Sequence, residues 1–141
     1  MSRIYWDTML FVYWLEDHPE HAGRVEEVYA RMVKRGDTLC TSVFTLGELL
    51  TGAYKKGAVE SVTRFRELLR PPQVELLPFT VETADRYARI RGRHRVPPAD
   101  AIHLASAANA KVNLFLTNDR RLRGLLIPGI DFIAGLDVNL F

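Results

Sequence analysis

Four acidic residues stand apart from the other acids of the chain by where they fall. Asp7 directly follows the run Arg3–Trp6 (RIYW), which reads as a strand. Asp119 follows a second such run, Asn113–Thr117 (NLFLT), separated from it only by Asn118. Asp100 lies in the first turn after Pro97-Pro98, just before the apolar Ala101 and Ile102. Glu48 sits among Phe44, Leu46, Leu49 and Leu50, where an acid is costly unless it has a partner. Singly, each has an ordinary structural role. Asp7 and Asp119 suit helix N-caps, Asp100 suits a first turn favoured by the helix dipole, and Glu48 suits a solvent-facing position. Together they demand more, because a parallel sheet would bring several of them to one edge. Two carboxylates about 4 Å apart repel by about 4 kcal/mol at an effective dielectric near ~20. Four of them need cations, protonation or arginine partners. Oxygen-only ligands suit Mg²⁺ or Mn²⁺, and the chemistry this points to is metal-assisted hydrolysis of a phosphodiester. One metal would orient or deprotonate water, and a second, if present, would stabilise the leaving oxygen.

The elements that must position these acids alternate between short β-rich runs and longer helical stretches. After the first strand, Thr8–Asp17 and Glu20–Arg35 read as helices separated by His18-Pro19. Val25, Val28, Tyr29 and Met32 give the second of these an apolar stripe, and Gly36 ends it. Thr38–Thr41 is a second strand, and Ser42 can cap a helix Val43–Lys55. A helix over Ala58–Arg70 stops at Pro71-Pro72, and Val74–Leu77 is a third strand. Thr80 can cap Val81–Arg91, and Pro97-Pro98 opens an alanine-rich helix Ala99–Ala110. After the fourth strand come a short helix, Asp119–Leu125, and an edge strand at Phe132-Ile133. This order predicts an α/β fold in a single domain over residues 1–141. Its central, mostly parallel sheet has four to five strands with helices on both faces. In such sheets function gathers at the carboxyl ends of the strands.

Composition narrows the classes. With 141 residues, 48% apolar and 26% charged, the chain is an ordinary globule, which excludes disorder, collagen and coiled coil. Cys40 is alone and no Cys/His cluster suggests zinc. The apolar stretch Met9–Leu15 is too short to cross a bilayer, and Asp7 upstream does not suit a signal peptide, so a cytoplasmic protein without a membrane partner is expected. The net charge of +2 hides an arrangement. Arg86, Arg89, Arg91, Arg93 and Arg95 lead into Asp100, and Arg120, Arg121 and Arg123 follow Asp119. Arg86, Arg89 and Arg93 share one face if the helix continues that far. A solvated face is the ordinary reading of such a run. Arginine's planar fork also suits phosphate, which makes Arg86, Arg89, Arg93, Arg120 and Arg121 candidate RNA contacts. His103 shares a helix face with Asp100, but its apolar neighbours favour a packed histidine. Tyr5, Trp6, Phe11, Tyr13 and Trp14 read as core or interface residues.

The residues resemble a known family. Ile4-Tyr5-Trp6-Asp7-Thr8, Thr41-Ser42 with Leu46-Gly47-Glu48-Leu49, Pro98-Ala99-Asp100-Ala101-Ile102-His103-Leu104-Ala105, and Leu116-Thr117-Asn118-Asp119 stand in the order and spacing of a PIN-domain nuclease. The closest likeness is to the VapC-type toxins of toxin–antitoxin pairs. The resemblance implies a three-layer PIN-like fold and an acidic quartet of Asp7, Glu48, Asp100 and Asp119 that binds Mg²⁺ or Mn²⁺. It also implies endoribonuclease activity on RNA, a homodimer, and inhibition by a cognate antitoxin. Thr8 and Thr117 match small hydroxyl positions that could support the acids or a metal-bound water. Family members often carry an acid or an aromatic soon after the fourth acid, whereas Arg120-Arg121-Leu122 follow Asp119 here. Two other readings compete. A phosphatase of the haloacid dehalogenase type wants a second Asp two residues after the first, where this chain has Met9. A non-catalytic PIN-fold module binding RNA or protein would have no use for four acids that repel RNA.

Overall fold

The architecture follows from one central strand. In the computed structural model, which describes residues 1–139, β1 (Arg3–Trp6) lies between β2 (Thr38–Ser42) and β4 (Leu114–Leu116), with β3 (Glu75–Leu77) beyond β2 and β5 (Phe132–Ala134) beyond β4. Every pairing is parallel, so the expectation of a mostly parallel sheet becomes an all-parallel one among the described residues. Tyr5 stands opposite Cys40 on one side and Phe115 on the other, and Trp6 is opposite Leu116. Residues 140 and 141, the end of the domain expected over 1–141, lie outside the described residues.

Six helices connect the strands: α1 (Thr8–Leu15), α2 (Ala22–Arg35), α3 (Val43–Lys55), α4 (Val59–Leu68), α5 (Val81–Arg93) and α6 (Pro98–Asn109). Side chains alternate across a strand, so β1 feeds two cores. Ile4 and Trp6 join Leu39 and Leu116 against Leu10 and Phe11 of α1, Val25, Val28 and Met32 of α2, Leu49 of α3 and Phe65 of α4. Tyr5, Cys40 and Phe115 point the other way, against Ile90 of α5 and Ala101, Leu104, Ala105 and Ala108 of α6. The alanines of α6 let that helix approach the sheet closely.

The local signals act as anticipated at most boundaries. Ser42 caps α3 by accepting from the Thr45 N–H at 3.1 Å, and Thr80 opens α5 in a reciprocal box with Thr83. Gly36 ends α2 at φ 76°, a left-handed conformation that costs a residue with a Cβ. Several boundaries differ from expectation: α4 stops at Leu68 and α5 runs on to Arg93. α1 stops at Leu15, two residues early, because Pro19 holds His18 away from helical angles and Asp17 turns the chain at φ 51°. α2 begins at Ala22 instead of Glu20. The helix expected over Asp119–Leu125 is a single 3₁₀ turn, Arg120–Leu122.

Phe115 is fully buried and stacks on Tyr5, with ring centroids 5.0 Å apart and planes within 7°. Phe115→Ala should lower stability by about 3–5 kcal/mol, whereas Val33→Ala, on an exposed face of α2, should change it by under about 0.5 kcal/mol. Urea unfolding midpoints of the two variants check this.

Candidate active site

Asp7 stands one residue past β1 and serves as the N-cap of α1: its Oδ1 accepts the Met9 N–H at 3.2 Å. Its Oδ2 accepts a short hydrogen bond from the Thr117 hydroxyl, which sits one residue past the adjacent strand β4. Cap and site position therefore coincide in one carboxylate. Thr117 is fully buried, and its Oγ1 also accepts the Asp119 N–H at 3.1 Å. One threonine hydroxyl thus ties the first acid to the fourth.

Glu48 projects from the middle of α3 and is partly buried. Thr8, the first residue of α1, donates a short hydrogen bond to its Oε1. The same oxygen is 2.7 Å from Nε2 of His103, on α6. His103 is 5% exposed, packed edge-on to Tyr5 and Phe44, which agrees with its apolar sequence neighbours. It is also the polar link of the site. Its Nδ1 lies 2.7 Å from the Tyr5 hydroxyl, which burial pushes up to about 12. Because a carboxylate only accepts, Nε2 is the donor to Glu48. Sequence reasoning placed Tyr5 in the core and missed this chain. The available signal was the alternation of β1, which turns Tyr5 toward α6, where His103 lies one helical turn after Asp100.

Asp100 lies in the first turn of α6, and Asp119 caps the 3₁₀ turn by accepting the Arg121 N–H at 3.0 Å. The Arg121 guanidinium folds back onto Asp119, with Nε 3.0 Å from Oδ1 and Nη2 2.7 Å from Oδ2. Its Nη2 is 3.8 Å from Oδ2 of Asp100. Of the arginines expected to meet phosphate, this one rests on two acids. Arg120 lines a small pocket of about 340 Å³ with His21, Arg24 and Asn118. Arg86, Arg89 and Arg93 do share one face of α5, but they line a groove of about 750 Å³ beside Leu126–Pro128 that has none of the four acids in its wall. There Arg86 donates to the Pro128 carbonyl at 3.1 Å and Arg89 pairs with Asp85 at 2.9 Å.

The electrostatics follow from these contacts. Burial raises the Asp7 carboxyl above its ordinary value, only partly offset by the Thr117 hydrogen bond. Burial also raises Glu48, but hydrogen bonds from His103 and Thr8 outweigh it and hold the carboxyl low. Asp100 is raised by burial and by the negative charge of Asp119, with a smaller push from Glu48. Asp119 is held low by Arg121. Among the described residues, no three Asp, Glu, His or Cys side chains converge closely enough to hold an ion, since the acids are turned toward partners within the chain. The donor set nonetheless fits a hard dication. It offers carboxylate and hydroxyl oxygens and no thiolate, and Asp100 feels the charge of both Asp119 and Glu48 in addition to the larger effect of burial.

Residues 4–125 match the family model described as PIN domain, a span that includes all four acids. The chain belongs to the PIN domain family. Solved structures share the PIN fold at low identity. VapBC2 from Rickettsia felis, bound to a DNA fragment from its promoter, superposes with a TM-score of 0.77 at 18% identity, over 94% of this chain and 98% of that one. FitAB bound to an IR36 DNA fragment gives 0.70 at 19%, over 94% of each chain. VapBC-5 of Mycobacterium tuberculosis, a toxin–antitoxin system, gives 0.61 at 19%, over 94% and 98%. A search of curated proteins found no match.

In this PIN domain the raised Asp7 carboxyl has a consequence for folding. An acid whose folded pKa lies above its unfolded value of 3.8 costs stability as pH rises past it. An asparagine can keep its oxygen toward Met9 and turn its amide to the Thr117 oxygen. In metal-chelating buffer, Asp7→Asn should therefore raise the unfolding midpoint at pH 7. The gain should vanish near pH ~3, where the parent carboxyl is itself protonated. Thermal melts of both proteins across that range test the sign.

Proposed function

We propose that this PIN domain is a metal-dependent endoribonuclease that hydrolyses RNA phosphodiester bonds in the cytoplasm as the toxin of a toxin–antitoxin pair. The observation that supports the reading is a chain of shared partners linking acids from four separate segments: Thr117 bonds Asp7 and the Asp119 backbone, Arg121 reaches Asp119 and Asp100, and Glu48 is near enough to push the Asp100 carboxyl up. Asp7, Asp100 and Asp119 would hold Mg²⁺ or Mn²⁺, and Glu48 would bind it or orient the attacking water. When bound, the cation supplies a polarised water and neutralises charge growing on the phosphoryl oxygens. Thr117 orients Asp7 and fixes the Asp119 backbone. Thr8 and His103 fix the rotamer of Glu48 and leave its second oxygen free of either contact. Arg120 follows Asp119 in sequence and would contact phosphate from the pocket it lines with His21, Arg24 and Asn118, while Arg86, Arg89 and Arg93 would meet a strand only beyond the cleavage point. The structural likeness to toxin–antitoxin complexes supports an antitoxin partner, and a homodimer fits the same reading.

Purified protein should cleave RNA with Mn²⁺ or Mg²⁺ and stop with EDTA. Asp100→Asn should reduce cleavage by more than about 100-fold, and His103→Ala, which removes the imidazole that supports Glu48, by about 10–100-fold. Unchanged cleavage by Asp100→Asn on total tRNA and rRNA would remove the assignment.

A further inference from the structure

Arg121 makes a contact that the proposed chemistry does not use. Its backbone N–H and its Nε both reach Asp119 Oδ1 at 3.0 Å, its Nη2 reaches Oδ2 at 2.7 Å, and the same Nη2 lies 3.8 Å from Asp100 Oδ2. Both oxygens of one carboxylate are thus taken, and a second carboxylate is neutralised from the same nitrogen. A dication bridging Asp119 and Asp100 would need those same oxygens. The Arg121 side chain is 72% exposed, so it can swing outward without opening the core. Its placement follows from the 3₁₀ turn, which brings position 121 back over the acid that caps it. Position 121 lies in the stretch where this sequence puts arginines after the fourth acid.

We propose, resting on the metal-dependent reading above, that Arg121 is a resident counter-cation. It holds Asp119 and Asp100 when divalent ion is scarce, must be displaced for the ion to bind, and so sets the ion concentration at which the site loads. The competition is direct. A carboxylate oxygen donating its lone pairs to a guanidinium fork is unavailable as a ligand, and a dication prevails over a single positive charge once it is concentrated enough. Losing the fork frees Oδ2 of Asp119, leaves its Oδ1 with the backbone N–H alone, and removes the positive charge that Asp119 and Asp100 share.

Titration of Mn²⁺ into the purified chain by calorimetry tests this without reference to activity. Arg121→Gln should bind Mn²⁺ about three- to five-fold more tightly than the parent, the range expected for removing one exposed ion pair. Arg121→Lys, which keeps the charge but not the fork, should fall between. Arg120→Gln removes a neighbouring charge that does not touch these oxygens, and should shift affinity less than Arg121→Gln. Without metal, Arg121→Gln should melt no higher than the parent, because its acids are then unscreened. Equal affinity in the parent and Arg121→Gln, weaker binding by Arg121→Gln, or an equal gain from Arg120→Gln would overturn direct displacement while leaving the metal site in place. Absence of saturable Mn²⁺ binding in the parent, Arg121→Gln and Asp100→Asn alike would overturn the metal reading and this proposal together.

Discussion

Negative charge concentrated at the carboxyl edge of a parallel sheet is the constraint around which the rest of this molecule is arranged. Strand ends bring Asp7 and Asp119 together, and helices on the two faces deliver Glu48 and Asp100 to the same region. Carboxylates so placed repel strongly once water is partly excluded. The chain answers by giving every acid a hydrogen-bonding or charged partner. Asp7 takes a hydroxyl, Glu48 a hydroxyl and an imidazole, and Asp119 a guanidinium that also reaches Asp100. Asp100 has an arginine nitrogen at 3.8 Å, and burial with the charge of Asp119 raises its carboxyl.

The partners come from the scaffold itself. Thr8 begins α1, Thr117 follows β4, and Tyr5 sits in the middle of the central strand, so the groups that seat the acids are fixed by sheet register and helix starts. The two cores divide this labour. The face carrying Trp6, Phe11 and Leu49 anchors the helices that bear Asp7's cap and Glu48. The opposite face, built on Tyr5, Phe115 and the alanines of α6, sets the depth at which His103 and Asp100 stand. Because Tyr5 belongs to the second core and to the hydrogen-bonded chain ending at Glu48, packing on one face controls a side chain delivered from the other.

Most of the fold was legible in the sequence because its punctuation is local. Ser42, Thr80 and Gly36 act on their own neighbours, and the β-rich runs stand where the strands lie. The positions of Asp7, Asp100 and Asp119 were legible for the same reason, standing at strand ends and helix starts, whereas Glu48 stands in the middle of α3. What was not legible depends on which face a residue takes after folding. The composition around His103 says that it is packed, and it is, but only the pairing of β1 with the α6 side reveals that it faces Glu48 through one nitrogen and Tyr5 through the other. The arginines of α5 adjoin Asp100 in sequence, yet the helix carries Arg86, Arg89 and Arg93 into a groove beside Pro128. Arg121 follows Asp119 in sequence, and only the 3₁₀ turn reveals that its guanidinium folds back onto that acid.

The bond between Thr117 and Asp7 spans 110 residues of chain, and no described strand pairs with its sequence neighbour through a hairpin at this point of the sheet. A nascent chain therefore carries its first acid through most of its synthesis with the strand that seats it still unmade. Asp7, Glu48 and Asp100 all emerge before Thr117 does, and none of the contacts that tie the first acid to the fourth exists until β4 has docked against β1. The tie between the first acid and the fourth is consequently made late in the life of each molecule. A chain truncated before residue 117 retains three of the four acids and lacks the architecture that makes them a set.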